Sequence, residues 1–95
     1  MKAGFIYIIS NPAHPGWFKI GVTENLTNRL HTYQTSDPQR SYKVEYCVSH
    51  PDCYSAEKQI KEMMHHFALA KRNEWYECDL QIAIIRLQEL VECEP

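Results

Sequence analysis

Residues 4–10, Gly-Phe-Ile-Tyr-Ile-Ile-Ser, are rich in aromatic and β-branched side chains and predict a strand. Asn11-Pro12-Ala13-His14-Pro15-Gly16 is broken up by proline and glycine and predicts a turn. Trp17-Phe18-Lys19-Ile20-Gly21-Val22 predicts a second strand, which makes the first three segments a hairpin. Thr23 or Asn25 would then cap a helix. Leu26, Leu30 and Tyr33 recur at helical spacing within it, and Asp37-Pro38 ends it. Residues 42–48 alternate and predict a third strand. Pro51 and Asp52 open a second helix that should run to about residue 70. Residues 74–78 form a short extended piece. Asp79 caps a last helix whose apolar face carries Leu80, Ala83, Ile84, Leu87, Leu90 and Val91. The expected fold class is α/β, with a small three-stranded, mainly antiparallel sheet flanked by helices.

Length sets the scale of this arrangement. Ninety-five residues suit one domain, 1–95, and a chain of that size buries only roughly 60–65% of its unfolded surface. Any site must therefore be assembled from few elements. No apolar run approaches the ~18 residues of a membrane span, and no segment reads as a signal peptide. The expectation is a cytoplasmic protein with no membrane partner. The net charge of -2, from 10 Lys+Arg and 12 Asp+Glu, argues against a tight, salt-driven nucleic-acid binder. The charge is unevenly spread: residues 1–50 carry five basic and three acidic side chains, and residues 51–95 five basic and nine acidic. The N-terminal half can still present a basic face. Cys47, Cys53, Cys78 and Cys93 form no CxxC pair. Zinc at Cys47, His50 and Cys53 is the weaker reading and four plain thiols the stronger one.

Several positions call for chemistry rather than packing. Phe5 and Tyr7 share one face of the first strand, and Ile6 and Ile8 the other. Lys19 and Gly21 share a face of the second. A lysine inside an apolar strand is expensive to bury without a partner, and a glycine there weakens the strand unless something must approach its backbone. Arg29 and Tyr33 stand four apart, one above the other on a helix. Glu57, near the start of the second helix, is the best-placed carboxylate there.

These residues resemble the GIY-YIG nuclease superfamily. Phe5-Ile6-Tyr7-Ile8 is similar to its first motif, with Gly4 standing just before Phe5, and Phe18-Lys19-Ile20-Gly21 is similar to its second. Lys19 at the second motif's tyrosine position fits a short, phage-type branch. The stretch from Gly21 to Leu30 is similar to the family's strand-to-helix segment around its arginine, here Arg29. Ala56-Glu57 and then Glu74-Trp75-Tyr76 complete the order. Lys61 stands where that branch often has a histidine. The resemblance spans about residues 4–78.

It implies a metal-dependent endonuclease acting on DNA, its strandedness left open, and leaving a 5′-phosphate and a 3′-hydroxyl. Tyr7 would orient or deprotonate water, helped by Lys19. Arg29 would hold phosphate oxygens with its fork of donors, and Tyr33 would position phosphate or water. Glu57 would bind one Mg²⁺ or Mn²⁺, since a lone carboxylate with waters and phosphate oxygens suits a hard cation. Gly21, Asn25 and His14, with the loops 11–16 and 34–41, would contact substrate. The alternative function is a nucleic-acid-binding or regulatory module that keeps the fold without cutting.

Each residue alone has a plainer reading. Tyr7 would be core, Lys19 a snorkelling edge lysine, Arg29 with Tyr33 a surface stacking pair, and Glu57 a solvated helix residue. Their shared order outweighs these. Glu62 is a rival metal ligand. His65 and His66 cannot share a helix face and would be surface and core respectively, and His31 should face away from Arg29. Trp75 and Tyr76 should pack the last strand on the sheet, with base stacking on Trp17 or Trp75 as the sharper option. Ile82 and Ile85 widen the last helix's apolar face; burial within the chain is the first reading and contact with a protein partner or a second copy the other.

Overall fold

The computed structural model describes residues 1–92, so Cys93 lies outside the described residues. Its elements run β1 (Gly4–Ser10), β2 (Trp17–Thr23), α1 (Leu26–Ser36), β3 (Lys43–His50), α2 (Cys53–Phe67), β4 (Ala70–Arg72), β5 (Trp75–Glu77) and α3 (Leu80–Glu92). The five strands form one sheet in the order β3-β1-β2-β5-β4, every neighbouring pair antiparallel.

The apolar strand β1 is central, and its two edges are filled by β2 and β3. Its side chains alternate between the sheet's faces. Ile6 and Ile8 join Ile20 and Val22 of β2 on one face, where Cys53, Ala56, Ile60 and Met64 of α2 and Ala83 and Leu87 of α3 cover them. The other face carries Tyr7, Lys19 and Gly21, and α1 lies on that side through Tyr33, whose hydroxyl meets that of Tyr7. α1 buries no residue, so polar contacts rather than an apolar seam position it.

The sheet has two more strands than the three expected. β5 lies within the extended piece read at residues 74–78. The three residues of β4 are all exposed and carry no alternation, so nothing in the hydrophobic pattern marks them. β4 forms because α2 stops at Phe67, earlier than expected. Ala68 is extended while its N–H still bonds Met64 O, and Leu69 N–H then reaches Glu77 O at 2.8 Å. The chain returns through a tight turn in which Asn73 takes φ 55, a left-handed value that asparagine tolerates better than most residues. His66 is exposed rather than core, as is His65; the rings meet edge-on 5.8 Å apart. Ile82 and Ile85 are 46% and 51% exposed, so the α3 face that α2 and the sheet cover stops short of them. Trp75 and Tyr76 divide between the two sides of the sheet. Tyr76 enters the core, and Trp75 turns to the face of Tyr7.

Candidate functional site

Tyr7 sits at the middle of β1, 2% exposed, directly opposite Gly21 of β2. A Cβ at Gly21 would stand 2.7 Å from the Tyr7 hydroxyl oxygen and 3.0 Å from Cζ. The missing side chain is therefore what lets the Tyr7 ring lie across β2. The glycine stands in the strand because of another residue of the same chain. Gly4 has a comparable reason: a Cβ there would meet Thr23 O at 2.6 Å and Cys53 Sγ at 2.7 Å.

The Tyr7 hydroxyl meets that of Tyr33, 3.0 Å away. Tyr33 stands one turn after Arg29 on α1, so the guanidinium and the phenol share a helix face. Lys19 Nζ lies 4.5 Å from the centre of the Tyr33 ring and 3.2 Å from Glu74 Oε2. That dual engagement explains how a lysine survives inside a strand: a carboxylate and an aromatic face replace the lost water. Tyr7, Lys19, Gly21, Arg29 and Tyr33, drawn from β1, β2 and α1, thus come together on one side of the sheet.

The charges of the cluster act in a definite order. Burial pushes the Tyr7 phenol far above its ordinary range; the bond to Tyr33 and that residue's charge push the same way, and Arg29 offsets only part of it. Tyr7 stays neutral near pH 7. The bond to Tyr33 holds Arg29 above its usual value, with Tyr7, Tyr33 and Glu74 adding to it against desolvation. Arg29 itself is exposed.

A row of rings leads away from this cluster. Tyr33 and Tyr42 are 5.5 Å apart, Tyr42 and Trp75 6.2 Å, and His14 meets Trp75 edge-on at 5.3 Å. Gln34 fixes Tyr42 by donating from Nε2 to its carbonyl at 2.9 Å and accepting its N–H at 3.1 Å. The two loops expected to contact substrate are joined: Asn11 Nδ2 donates to Asp37 Oδ2 at 3.0 Å. The backbone amides of Ser41 and then Gln39 hold the Asp37 carboxyl below its ordinary range, with Asn11 adding to them.

The family model of the T5orf172 domain matches residues 4–93, a span that takes in every residue of the cluster. The chain belongs to the T5orf172 domain family. No curated protein and no solved structure matches it.

The remaining candidate residues of this T5orf172 domain have other immediate partners. Glu57 is on α2, which packs on the Ile6–Ile8 side of the sheet, and its carboxylate stands 3.9 Å from Lys61 Nζ. It acts on Tyr76 and Cys53, whereas Glu74 is the carboxylate whose charge is felt by both Tyr7 and Arg29. Glu62 is exposed beside Lys61, His65, His66 and Lys71. Asn25 caps α1 by accepting from Asn28 N–H at 3.0 Å. His14 lines a cavity with Trp17, Arg72, Asn73 and Trp75. Cys47 is exposed and Cys53 buried, and both are free thiols. Their pairing registers put Cys47 on the Tyr7 side of the sheet, whereas Cys53 belongs to the core.

Among the described residues no group of three or more His, Cys, Asp or Glu could hold a metal ion. The donor set does not fit a protein-caged ion. It does fit a hard cation that takes one carboxylate and completes its shell with water and substrate oxygens. Sequence reasoning quoted Glu74 only within a motif and gave Tyr42 no part in the candidate site. The signal for Glu74 was available, since an intrastrand lysine demands a counter-charge. Tyr42 carried none. No helix among the described residues is long and apolar enough to cross a membrane.

Proposed function

We propose that this T5orf172 domain is a nuclease that hydrolyses DNA phosphodiester bonds. Family membership supports a nuclease-like or nucleic-acid-related role. The observation that carries the reading further is the meeting of Tyr7, Tyr33, Lys19 and Arg29 on one face around Gly21. Two cations and two hydroxyls held on rigid strands and one helix suit a phosphodiester group, whose charge grows as the attacking oxygen adds. Arg29 binds the non-bridging oxygens through paired donors. Lys19, already partly desolvated, adds a second positive charge beside them. Tyr33 bridges the two halves of the site. Tyr7, whose proton stays on at neutral pH, donates to the attacking water or to a phosphate oxygen, orienting rather than deprotonating it.

A divalent ion, when bound, would neutralise phosphate charge and lower the pKa of a coordinated water. Glu57 and Glu74 are the two carboxylates that could hold Mg²⁺ or Mn²⁺. The Glu57–Lys61 contact is a loose surface pair that a divalent cation would displace readily. Glu74 lies within the field of the cluster but is held by Lys19.

The test is cleavage of single-stranded and duplex DNA with Mg²⁺ and with Mn²⁺, comparing wild type with Glu57→Gln and Glu74→Gln. The residue that holds the ion should raise the metal concentration needed for half-maximal rate by at least tenfold when substituted. The Lys61 ammonium 3.9 Å from Glu57, a cation already beside the carboxylate expected to hold the metal, favours one second reading, a nucleic-acid-binding module that does not cut. DNA binding with no cleavage under either metal would establish that second reading instead.

A further inference from the structure

The cavity lined by His14, Trp17, Arg72, Asn73 and Trp75, about 230 Å³, takes no part in the phosphate chemistry just described, yet it abuts it. Trp75 is directly opposite Lys19 across the β2–β5 pair and directly opposite Arg72 across the β4–β5 pair. The same face of the sheet thus reads Arg72, Trp75, Lys19 from edge to interior. Trp17 is two residues from Lys19 on β2, the diagonal neighbour of Trp75, within reach of a large ring. His14 meets Trp75 edge-on, and both rings line the cavity. The cavity is below the ~300–1,000 Å³ of pockets that enclose drug-sized ligands, a size for one flat ring system rather than a whole nucleotide.

We infer that this cavity is a nucleobase subsite. An unpaired base stacks on Trp75, with Trp17 as the second wall. Its own phosphate reaches Lys19 and Arg29, and Arg72 meets the chain on the far side. Stacking rings set between cations is how proteins hold single strands irrespective of sequence, because every base offers a π face. A duplex does not offer that face, since its bases are stacked on one another. The site therefore takes a single strand, or a base displaced from a duplex. The inference rests on the nucleic-acid reading above for its ligand class, but not on cleavage.

The chain has two tryptophans, and both line this cavity, so tryptophan fluorescence, excited where tyrosine does not absorb, reports on it. The experiment titrates the protein, in EDTA, with an eight-nucleotide oligothymidylate, with an abasic strand of equal phosphate number, and with a duplex of the same length. The thymidylate should quench the fluorescence and bind at least about tenfold more tightly than either control. Trp75→Ala and Trp17→Ala, each shown to be folded by circular dichroism, should lower thymidylate affinity by roughly five- to a hundredfold and leave abasic binding unchanged. Equal affinity for the thymidylate and abasic strands overturns the subsite on wild-type protein alone. So does equal quenching by the duplex. Tight, quenching thymidylate binding without cleavage in Mg²⁺ or Mn²⁺ supports the subsite while removing the nuclease reading. Cleavage with no preference over the abasic strand does the reverse.

Discussion

Tyr7 is buried like a core residue and bonded like a site residue, and Gly21 is what reconciles the two roles. Replacing Gly21 with alanine puts a methyl group 2.7 Å from the Tyr7 hydroxyl oxygen. Overpacking of that kind typically costs about 1–3 kcal/mol, and urea denaturation should find a loss in that range. Adding Tyr7→Phe removes the atom in closest conflict, so the double variant should be more stable than the sum of the two single changes predicts. The direction of the Tyr7 shift also gives a pH dependence. Its folded pKa lies above its unfolded value, so its contribution to stability is complete below the ordinary phenol pKa of ~10. That contribution is lost as pH rises through the higher folded value. Alkaline unfolding should therefore begin later in Tyr7→Phe than in wild type. Ultraviolet titration should find one phenol that ionises only as the protein unfolds. A Tyr7 that titrates near pH 7 would restore it as a general base.

At the scale of elements, α1 is the weak point, since it carries Arg29 and Tyr33 without burying a residue. Its cap and its tether replace an apolar seam. Asn25→Ala should destabilise the protein by about 0.5–2 kcal/mol, and Gln34→Ala should free the Tyr42 backbone. Hydrogen exchange in both variants should quicken in α1 while β1 stays protected; uniform quickening across the sheet would mean that α1 is part of the core unit. The same contrast explains what could be read in the sequence. β1, β2 and β3 announce themselves by β-branched and aromatic runs, and α3 by its apolar face. β4, Ala-Lys-Arg, is exposed at every residue and formed by a turn and a backbone bond from Leu69, so no periodicity foretells it. The pairing of Tyr7 with Gly21 and Tyr33 was legible as residue types at suggestive positions. The face on which α2 packs was not, because a helix after β3 can lie on either side and local sequence does not choose between them. The exposure of His66, Ile82 and Ile85 fails for a related reason: helical spacing gives a direction, and the width of what covers it is set by distant elements.

At the scale of the whole molecule, one face of a small sheet is built for packing and the other for charge. Ile6, Ile8, Ile20 and Val22 meet α2 and α3 on the first. Tyr7, Lys19 and Arg29 gather on the second within a chain of net charge -2. Affinity for a polyanion must then come from few contacts at one place rather than from overall charge. In the proposed reaction Arg29 and Tyr7 act on the same phosphate. This joint action is tested most directly by single-turnover cleavage rates for wild type, Tyr7→Phe, Arg29→Ala and the double variant, with folding verified for each. Groups that act as a unit lose activity non-additively. The expected losses are about 10²–10³-fold for Arg29→Ala and less for Tyr7→Phe, with a double variant little slower than Arg29→Ala. Losses that multiply, or a Tyr7→Phe protein that cuts as fast as wild type, would contradict that joint action.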